Sequence, residues 1–435
     1  MCTELSLLIP GLKKGVQREP PPLARKGIDM INPIPYKTAR QKALDAVRPM
    51  PEVKCPVADC FGAVLAQDII AAENVPPFDR SPYDGYAFRA ADTLTASKED
   101  PVTLRILEEI PAGGISHFPV TEGCAVKILT GAPIPEGADA VRMFEKTVFT
   151  EETVTLFAPA KHGENIIYAG EDVRKGTILA KTGTRIDAGL CGTIAAQNLA
   201  FPLVRRKPLA GLISTGSELL EVGEEPQPGK IYDSNRYTLE SELRRNGCET
   251  VFLGSVKDST QAIADLMENG LARCDFLVTT GGVSVGEYDL TEKAMESIGA
   301  EILVHGVEMK PGMACAYGVR DGKLIAALSG NPASSLINFY VVAMPAIRKM
   351  CGLPEENWIA ETFPVTLERG FRKGSPCDRF LRGKLDLSDG TAKMHLSPDQ
   401  GNVVLSSSIG SDIMAVIPAG HGPVEEGETM QAFLL

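Results

Sequence analysis

The sequence predicts a multidomain α/β protein whose central unit is a parallel β-sheet covered by helices on both faces. Between residues 208 and 353, apolar segments of strand length alternate with helical segments, which is typical of βαβ units. Short β-type runs separated by glycine and proline turns precede and follow this region, which indicates flanking β-rich domains. The length of 435 residues suggests roughly three domains of about 150 residues each, so several separate cores are expected.

The chain begins with a segment unlike the rest. Residues 1–34 are basic and proline-rich, lack the long apolar core of a secretion signal, and are predicted to form a flexible extension. Residues 35–75 are predicted to be helical, because Ala39, Ala43 and Val47 recur at helical spacing.

A second helix is predicted after the break at Pro51 and Pro56. Residues 35–75 and 181–207, the latter with a helical pattern at 187–200, together form a predicted helical or linker domain. Residues 76–180 are predicted to be a β-rich second domain. Residues 354–435 are predicted to be a small terminal β-barrel or sandwich, with strands in ETFPVTLE, RFLRGKLDL, TAKMHL, NVVLSS and IMAVIPA.

The central domain, residues 208–353, contains four clear strands and four clear helices. The helix of NRYTLESELRRNG is expected to stop at Gly247. The predicted strands are PLAGLIST, CETVFLGSV, CDFLVTT and KLIAALSG.

Three polar turns, at residues 214–218, 279–286 and 328–335, each follow a predicted strand of this domain. Parallel strands end at the same edge of a sheet, and ligands bind there. Glycine allows backbone N–H groups to approach an anion, and a helix N-terminus carries partial positive charge. Tight strand–helix packing is the alternative for each turn alone. The three together favour an anion pocket.

Acidic residues fall at the same edge. Glu218 follows the first turn, Asp258 the second strand and Asp289 the Gly-Gly turn, while Asp233 and Asn235 precede a helix. Carboxylates beside a phosphate pocket indicate Mg²⁺. Helix capping is the alternative for Asp233, Asp289 and Asp258.

Charge and composition exclude several classes of function. The 44 Lys+Arg against 56 Asp+Glu give a net charge of −12, which argues against a nucleic-acid partner. Apolar runs fall short of the roughly 20 residues that a membrane helix needs. The ten cysteines contain no C-x-x-C and the five histidines are dispersed, so a zinc site is not expected. The scattered single cysteines are typical of free thiols in a reducing compartment, so a cytoplasmic location is expected. Salt screens carboxylates that lie more than about 8 Å away, so the net negative charge does not exclude an anionic substrate. Local hydrogen-bond donors, Mg²⁺ and a few cations such as Lys310 are expected to bind it.

Two loops of the second domain, PPFDRSPYDGYAFRAADT (76–93) and LTGAPIPEGADAVRMFE (129–145), are too polar and kinked for strand interiors. Together with six further motifs in the same order, they resemble the MoeA/gephyrin-E family, the molybdopterin molybdotransferases. The resemblance covers about residues 35–435. The further motifs are GENIIYAGEDVRKGT, STGSEL, GKIYDSNR, TTGGVSVGEYD, MKPGM and SGNPASS.

The resemblance implies a cytosolic homodimer of four-domain protomers with a molybdopterin-binding type central domain. It implies insertion of molybdate into adenylylated molybdopterin with Mg²⁺, releasing AMP and molybdenum cofactor, and proteins that accept this cofactor. The site is expected between the third domain of one subunit and the second domain of its partner.

Site residues are implied by motif. The second domain would contribute Asp84, Thr130 and Asp172. Around Mg²⁺ and the nucleotide lie Glu218, Asp258 and Asp289, each implied as catalytic and as a metal ligand. Pterin and phosphates would be held by Gly281, Gly282, Ser284, Lys310, Ser329, Asn331 and Pro332.

Three departures from the family pattern matter. Residues 166–169 (Ile-Ile-Tyr-Ala) lack the usual arginines, and Gly306, next to His305, replaces a basic residue. Ser329 replaces a proline. The first two remove cations, each lost charged hydrogen bond being worth roughly 1.5–3 kcal/mol. The candidates for compensation are Arg174, Lys175 and His305.

Two alternatives remain open from the sequence. One is a diverged paralogue that uses tungstate or another pterin nucleotide. The other is a non-catalytic pterin-binding or scaffold protein that has lost its oxyanion site. No residue resembles a covalent nucleophile, so catalysis would consist of positioning and electrostatics.

Overall fold

The computed structural model describes residues 33–283 and 290–435. Asp289, Ser284 and most of the predicted N-terminal extension therefore lie outside the described residues. The first described elements are strand β1 and a helix whose Ala39 and Ala43 are fully buried, as the helical spacing predicted. The first elements are β1 (Ile34–Pro35), α1 (Tyr36–Asp45), β2 (Glu52–Lys54) and β3 (Ile69–Ile70).

The second helix predicted before residue 75 is wrong. Only a single 3₁₀ turn, Val57–Asp59, and the short strands β2 and β3 occur there. Gly62 adopts a left-handed conformation (φ 76°), and the buried Leu65 and Ile69 pack against Ile194 of a later helix. Short apolar runs suit a strand or loop as well as a helix, and tertiary packing decided between them.

Residues 85–156 form a six-stranded sheet, here called the N-terminal sheet, in the order β7-β4-β6-β5-β9-β8. The pair β5–β6 is parallel and the other pairs are antiparallel. The predicted β-rich character of this region is confirmed. Its strands are β4 (Gly85–Phe88), β5 (Val102–Ile110), β6 (Cys124–Ile128), β7 (Ala140–Met143), β8 (Thr147–Phe149) and β9 (Thr153–Leu156).

The chain then returns to pair with its first segment. β10 (Ile178–Ala180) pairs with β3, and β11 (Leu203–Arg205) pairs with β2, both antiparallel. Between them lies α2 (Ala188–Ala196), where a helix was predicted. The Asp187 carboxylate caps α2 by accepting a hydrogen bond from the Leu190 N–H (2.8 Å).

The central sheet has six strands in the order β15-β12-β16-β20-β19-β17. The four predicted strands are all present and mutually parallel, but two unpredicted antiparallel strands, β17 and β19, extend one side. The strands from this region are β12 (Leu209–Thr215), β13 (Leu219–Leu220), β14 (Ile231–Tyr232), β15 (Glu249–Val256), β16 (Phe276–Thr280), β17 (Glu301–His305), β18 (Val307–Lys310), β19 (Cys315–Arg320) and β20 (Lys323–Leu328).

Helices cover both faces of the central sheet, as predicted. One apolar cluster includes Leu239 and Leu243 of α3, and the other includes Ile263 and Met267 of α4. The last helical segment widens into a π-turn at Phe339–Ala343. The helices are α3 (Ser234–Arg245), α4 (Thr260–Arg273), α5 (Leu290–Ser297), α6 (Pro332–Asn338) and α7 (Met344–Met350).

The C-terminal region is a closed five-stranded barrel rather than a sandwich. Its strands pair in the ring β22-β23-β21-β25-β24, and β24 returns to β22. The predicted strand NVVLSS instead forms a loop and a 3₁₀ turn at Ser406–Ser408. Strands β18 and β1 add to the outside of β22. The barrel strands are β21 (Phe363–Leu367), β22 (Asp378–Asp386), β23 (Lys393–Leu396), β24 (Ile413–Ile417) and β25 (Thr429–Leu434).

The predicted fold class, a multidomain α/β protein with β-rich flanking regions, is confirmed. Among the helices of residues 33–283 and 290–435, none has the length and apolarity that a membrane crossing requires.

Candidate functional site

The three glycine-containing turns meet at the carboxyl edge of the central sheet. Gly281 has φ 83°, and a Cβ at that position would lie 2.0 Å from the Thr215 carbonyl oxygen of the first turn. A Cβ at Gly330 would lie 3.6 Å from the Cα of Gly281, so the third turn contacts the second. Gly282, also left-handed, packs beneath Thr291 of α5. The convergence expected from a parallel sheet is therefore present.

Several backbone N–H groups of these turns already donate within the chain. The Gly281 N–H donates to the Leu328 carbonyl (3.0 Å). The N–H groups of Ala333 and Ser334, in the first turn of α6, both donate to the Asn402 carbonyl of a barrel loop (3.1 and 3.3 Å). These three N–H groups therefore hold the turns together rather than bind an anion, because an N–H that already donates within the chain is not a free donor. Sequence reasoning missed Asn402, since no motif marks a carbonyl from a distant loop.

The remaining residues of the third turn are arranged around the start of α6. Pro332 is the first residue of the helix, and Asn331 is its exposed N-cap, with no side-chain capping bond. The Ser329 hydroxyl, in a residue that is 6% exposed, accepts a hydrogen bond from the Asn331 N–H (3.2 Å). The Asn235 amide donates to the Gly330 carbonyl (2.8 Å) and thereby ties α3 to this turn.

Two of the predicted acidic residues occupy neighbouring turns at the same edge. The Asp258 carboxylate accepts a hydrogen bond from the Ser217 N–H (3.3 Å), which joins the turn after β15 to the turn after β12. The Glu218 carboxylate folds over Gly216, where a Cβ would lie 2.7 Å from Oε2. Both acidic side chains are exposed. The edge therefore offers two solvent-accessible carboxylates on hydrogen-bonded turns.

Asp233 has a different role from these two carboxylates. It is 3% exposed, caps α3 by accepting from the Arg236 N–H (3.1 Å), and accepts a hydrogen bond from the Ser214 hydroxyl. The capping alternative holds for Asp233, which fixes α3 against β12.

Lys310 ends β18 beside the third turn. Its side chain is exposed and has no ion pair within the described parts of the chain. The following Gly312 (φ 105°) seats on α6, where a Cβ would lie 3.2 Å from the Ser334 carbonyl oxygen. Among the residues that the structure describes, none forms an ion pair with this ammonium group, which lies at the edge that carries the acidic turns.

In the N-terminal sheet, Asp84 and Thr130 form a direct pair. The Asp84 carboxylate accepts hydrogen bonds from the Thr130 N–H (2.7 Å) and the Thr130 hydroxyl (2.8 Å). These bonds stabilise the charged form and lower the pKa of Asp84 below its usual value, the backbone bond having the larger effect. Asp84 is exposed, so the pair presents an ionised carboxylate to solvent.

Replacing Thr130 by alanine is expected to raise the pKa of Asp84 part of the way to its ordinary value, because the backbone bond survives. The midpoint of the Asp84 carboxyl ¹³C shift, followed by NMR as pH falls, should therefore move to higher pH. Thr130→Ser keeps a hydroxyl and should retain the wild-type midpoint. Equal midpoints in the alanine and serine variants would contradict the assignment.

Asp172 is exposed on a segment that pairs with the loop leading to Asp84. The Asp172 N–H donates to the Val75 carbonyl (3.0 Å), and Arg80 and Ile167 exchange two backbone hydrogen bonds (2.9 and 3.0 Å). The structure therefore brings the arginine-poor segment 166–169 against Arg80. This exposed cation has no ion pair among the described residues, and sequence reasoning overlooked it although it lies within the 76–93 motif.

The candidates proposed to replace the missing cations differ in availability. His305 contacts the Glu292 carboxylate, so its ring is already engaged. Lys175 forms an exposed ion pair with Glu73 (3.4 Å). Gly306 donates its N–H to the Cys315 carbonyl (2.8 Å) and serves a turn between β17 and β18.

Three family models match the chain in order and together span most of it. Residues 34–197 match the MoeA N-terminal region (domains I and II), residues 211–349 a probable molybdopterin-binding domain, and residues 364–435 the MoeA C-terminal region (domain IV). The chain belongs to the MoeA family. The predicted resemblance, and with it a role in molybdenum cofactor biosynthesis, is confirmed at the level of the family.

Individual MoeA relatives are similar over nearly the full length. A molybdopterin molybdenumtransferase of Staphylococcus aureus is 33% identical over 407 residues, 94% of this chain and 97% of the relative. One of Bacillus subtilis is 36% identical over 390 residues, 87% and 88% of the two chains. The crystal structure of the MoeA molybdopterin biosynthesis protein of Pyrococcus horikoshii superimposes with a TM-score of 0.74 at 30% identity, covering 93% of this chain and all of that one.

Proposed function

We propose that this chain is a molybdopterin molybdenumtransferase that inserts molybdate into adenylylated molybdopterin and releases AMP and molybdenum cofactor. The observation that carries the proposal is the meeting of the hydrogen-bonded Glu218 and Asp258 turns with the glycine turns and the Lys310 loop at one sheet edge. A nucleotide-bearing pterin needs this combination of hard oxygen ligands, a cation and a close-packed backbone surface.

The carboxylates of Glu218 and Asp258 fit Mg²⁺. Magnesium prefers oxygen ligands and is usually held by one or two carboxylates plus substrate phosphates, and both side chains are exposed at the edge. Asp289 is proposed as a third member of the set. When bound, the ion would neutralise charge on the pyrophosphate oxygens while the pyrophosphate bond is cleaved.

The chain's own groups would position the reactants. Lys310 supplies a positive charge to the substrate anion, and Ser329, Asn331 and Pro332 shape the surface beside it. Gly281 and Gly282 leave that part of the surface without side chains, since a Cβ at either position would collide with the first turn or with α5. Ser284 is proposed to contact the same ligand. Glu218 or Asp258 would orient the attacking oxygen.

A second copy of the chain would complete the site. Asp84 and Thr130 are hydrogen-bonded beside the N-terminal sheet, and Asp172 lies on the segment that pairs with the loop leading to Asp84. We propose that all three face the central-sheet edge of the partner in a cytoplasmic homodimer. Light scattering should give the mass of a dimer. A monomer at enzymatic concentrations would count against a shared site.

Arg80 is proposed to replace the cations that segment 166–169 lacks. Arg80→Asn should raise the KM for molybdate about tenfold, which corresponds to the lower end of the free energy that a charged hydrogen bond contributes. Lys175→Gln, which removes a cation already paired to Glu73, should change it less than twofold. The double variant Arg80→Asn/Ile167→Arg should recover most of the loss, because the two residues are paired across the same bridge. No recovery, or an equal effect of Lys175→Gln, would contradict the proposal.

The activity is tested by incubating the purified protein with adenylylated molybdopterin, Mg²⁺ and either molybdate or tungstate. AMP release with incorporation of molybdenum is the expected result. Release selective for tungstate would indicate the diverged paralogue. Tight pterin binding with no AMP release under either anion would indicate the non-catalytic alternative.

A further inference from the structure

A buried polar pair lies directly beneath the Lys310 loop. Tyr317 of β19 is fully buried and Asn338, at the end of α6, is 1% exposed. The Tyr317 hydroxyl donates to Oδ1 of Asn338, and Nδ2 of Asn338 donates to the Gly312 carbonyl (2.8 Å). The chain of bonds runs from the central sheet, through the helix, to the loop that follows Lys310.

The direction of each bond is fixed by the chemistry of the groups. A carbonyl can only accept, so Asn338 must present its NH₂ to Gly312 and its oxygen to Tyr317. Burial raises the pKa of Tyr317 well above its ordinary value, which keeps the hydroxyl protonated as the donor. The Gly312 carbonyl fixes which side of the amide carries Nδ2, and the Tyr317 hydroxyl holds the amide in this orientation by donating to Oδ1 from the opposite side.

The backbone around this pair allows little freedom. A Cβ at position 312 would lie 3.2 Å from the Cβ of Asn338, so the loop backbone packs closely on this residue. The helix widens into its π-turn immediately after Asn338. π-turns within helices recur at functional sites, where they redirect side chains. A shift of the Asn338 amide would move Gly312 and, two residues before it, Lys310.

We propose that Asn338, oriented by Tyr317, is a positioning residue for the Lys310 ammonium group. This inference rests on the proposed function, in which Lys310 meets the substrate anion. Both side chains are buried, so their effect on the substrate would be transmitted through the Gly312 carbonyl.

The first test compares Tyr317→Phe with Tyr86→Phe. Tyr86 is a buried tyrosine of the N-terminal sheet whose hydroxyl has no partner within the described residues, so its loss controls for deleting a buried hydroxyl. Because Lys310 is assigned to the pterin and phosphates, Tyr317→Phe should raise the KM for adenylylated molybdopterin about five- to tenfold while the KM for molybdate changes less than twofold. Tyr86→Phe should leave both unchanged. An equal rise in the two KM values would indicate general loosening of the fold and overturn the proposal.

The second test asks whether the two residues act as a unit. Asn338→Leu removes these two bonds together with the contacts of Nδ2 to Sγ of Cys315 (3.2 Å) and Sδ of Met309 (3.6 Å). Adding Tyr317→Phe to that variant should have no further effect, since the hydroxyl no longer has an amide to orient. Additive effects would overturn the coupling. If Asn338→Leu does not fold, Tyr317→Phe alone still decides between the outcomes above.

A third measurement does not depend on activity. Lysine amines are labelled by reductive ¹³C-methylation, and the Lys310 resonance is assigned from its absence in Lys310→Arg. Tyr317→Phe should shift the Lys310 resonance and Tyr86→Phe should not. A wild-type protein without turnover would refute the proposed function, whereas an unmoved Lys310 resonance in Tyr317→Phe would refute the positioning role.

Discussion

Replacing Gly281 by alanine is expected to destabilise the edge of the central sheet by about 2–4 kcal/mol, from backbone strain and the steric clash together. The new Cβ would lie 2.0 Å from the Thr215 carbonyl oxygen, and alanine would be strained at φ 83°. Because the neighbouring atom belongs to the backbone, the first turn must move to relieve the clash. Native-state hydrogen exchange of peptides covering β12 and β20 measures the loss as a lowered opening free energy.

Gly113→Ala is the matched control for this prediction. Gly113 has nearly the same conformation (φ 82°), but a Cβ there meets no atom within 4 Å. The Gly113→Ala variant therefore has the backbone strain without the steric clash, and its free energy of unfolding should fall by about 1 kcal/mol. Similar losses in the two variants would show that backbone strain, and not contact between the turns, limits position 281.

The combined variant Glu218→Gln/Asp258→Asn is expected to lower the turnover number at least about a thousandfold, equivalent to roughly 4 kcal/mol of transition-state stabilisation. Both substitutions keep the shape of the side chain, and the amide oxygen introduced by Asp258→Asn would still accept from the Ser217 N–H, so the fold should be intact. The loss reflects removal of the oxygen charge that would hold Mg²⁺. Steady-state AMP release measured over a range of Mg²⁺ concentrations checks it.

Asp265→Asn is the control for removal of a carboxylate from the same domain. Asp265 is exposed on α4 and accepts a side-chain hydrogen bond from Gln261 (2.8 Å), so its loss should leave turnover unchanged. Turnover of the combined variant within fivefold of the wild type would remove Glu218 and Asp258 from the proposed acidic set. A single Asp289→Ala variant tests the third member in the same assay.

The central domain was the most predictable part of the fold. Its four parallel strands are largely apolar and separated by helices that end at clear signals, such as Gly247 (φ 91°) after α3. The segment between Pro51 and Ile70 was predicted wrongly, because its short apolar runs fit either period and their partners, such as Ile194, lie more than a hundred residues away. Closure of the barrel depends on pairing of β22 with β24, which no local pattern encodes.

The candidate site likewise contains residues that the sequence located and contacts that it did not. The loops that carry Asp84, Thr130, Glu218 and Asp258 were located from their motifs. Their partners were not: the Asn402 carbonyl at α6 and the bridge between Arg80 and Ile167 arise from segments far apart in the chain. At the start of α6, the N–H groups of Ala333 and Ser334 already donate to the Asn402 carbonyl, which the sequence did not indicate.

By itself, the sequence determined the order of the four parallel strands and their helices in the central domain, the convergence of its turns and the membership of the MoeA family, because local periodicity and motif residues record these directly. The tertiary structure alone decided which donors remain free, which cation faces the arginine-poor segment and how Tyr317 orients Asn338. Those properties depend on hydrogen bonds between residues distant in sequence, and such bonds leave no periodic trace along the chain.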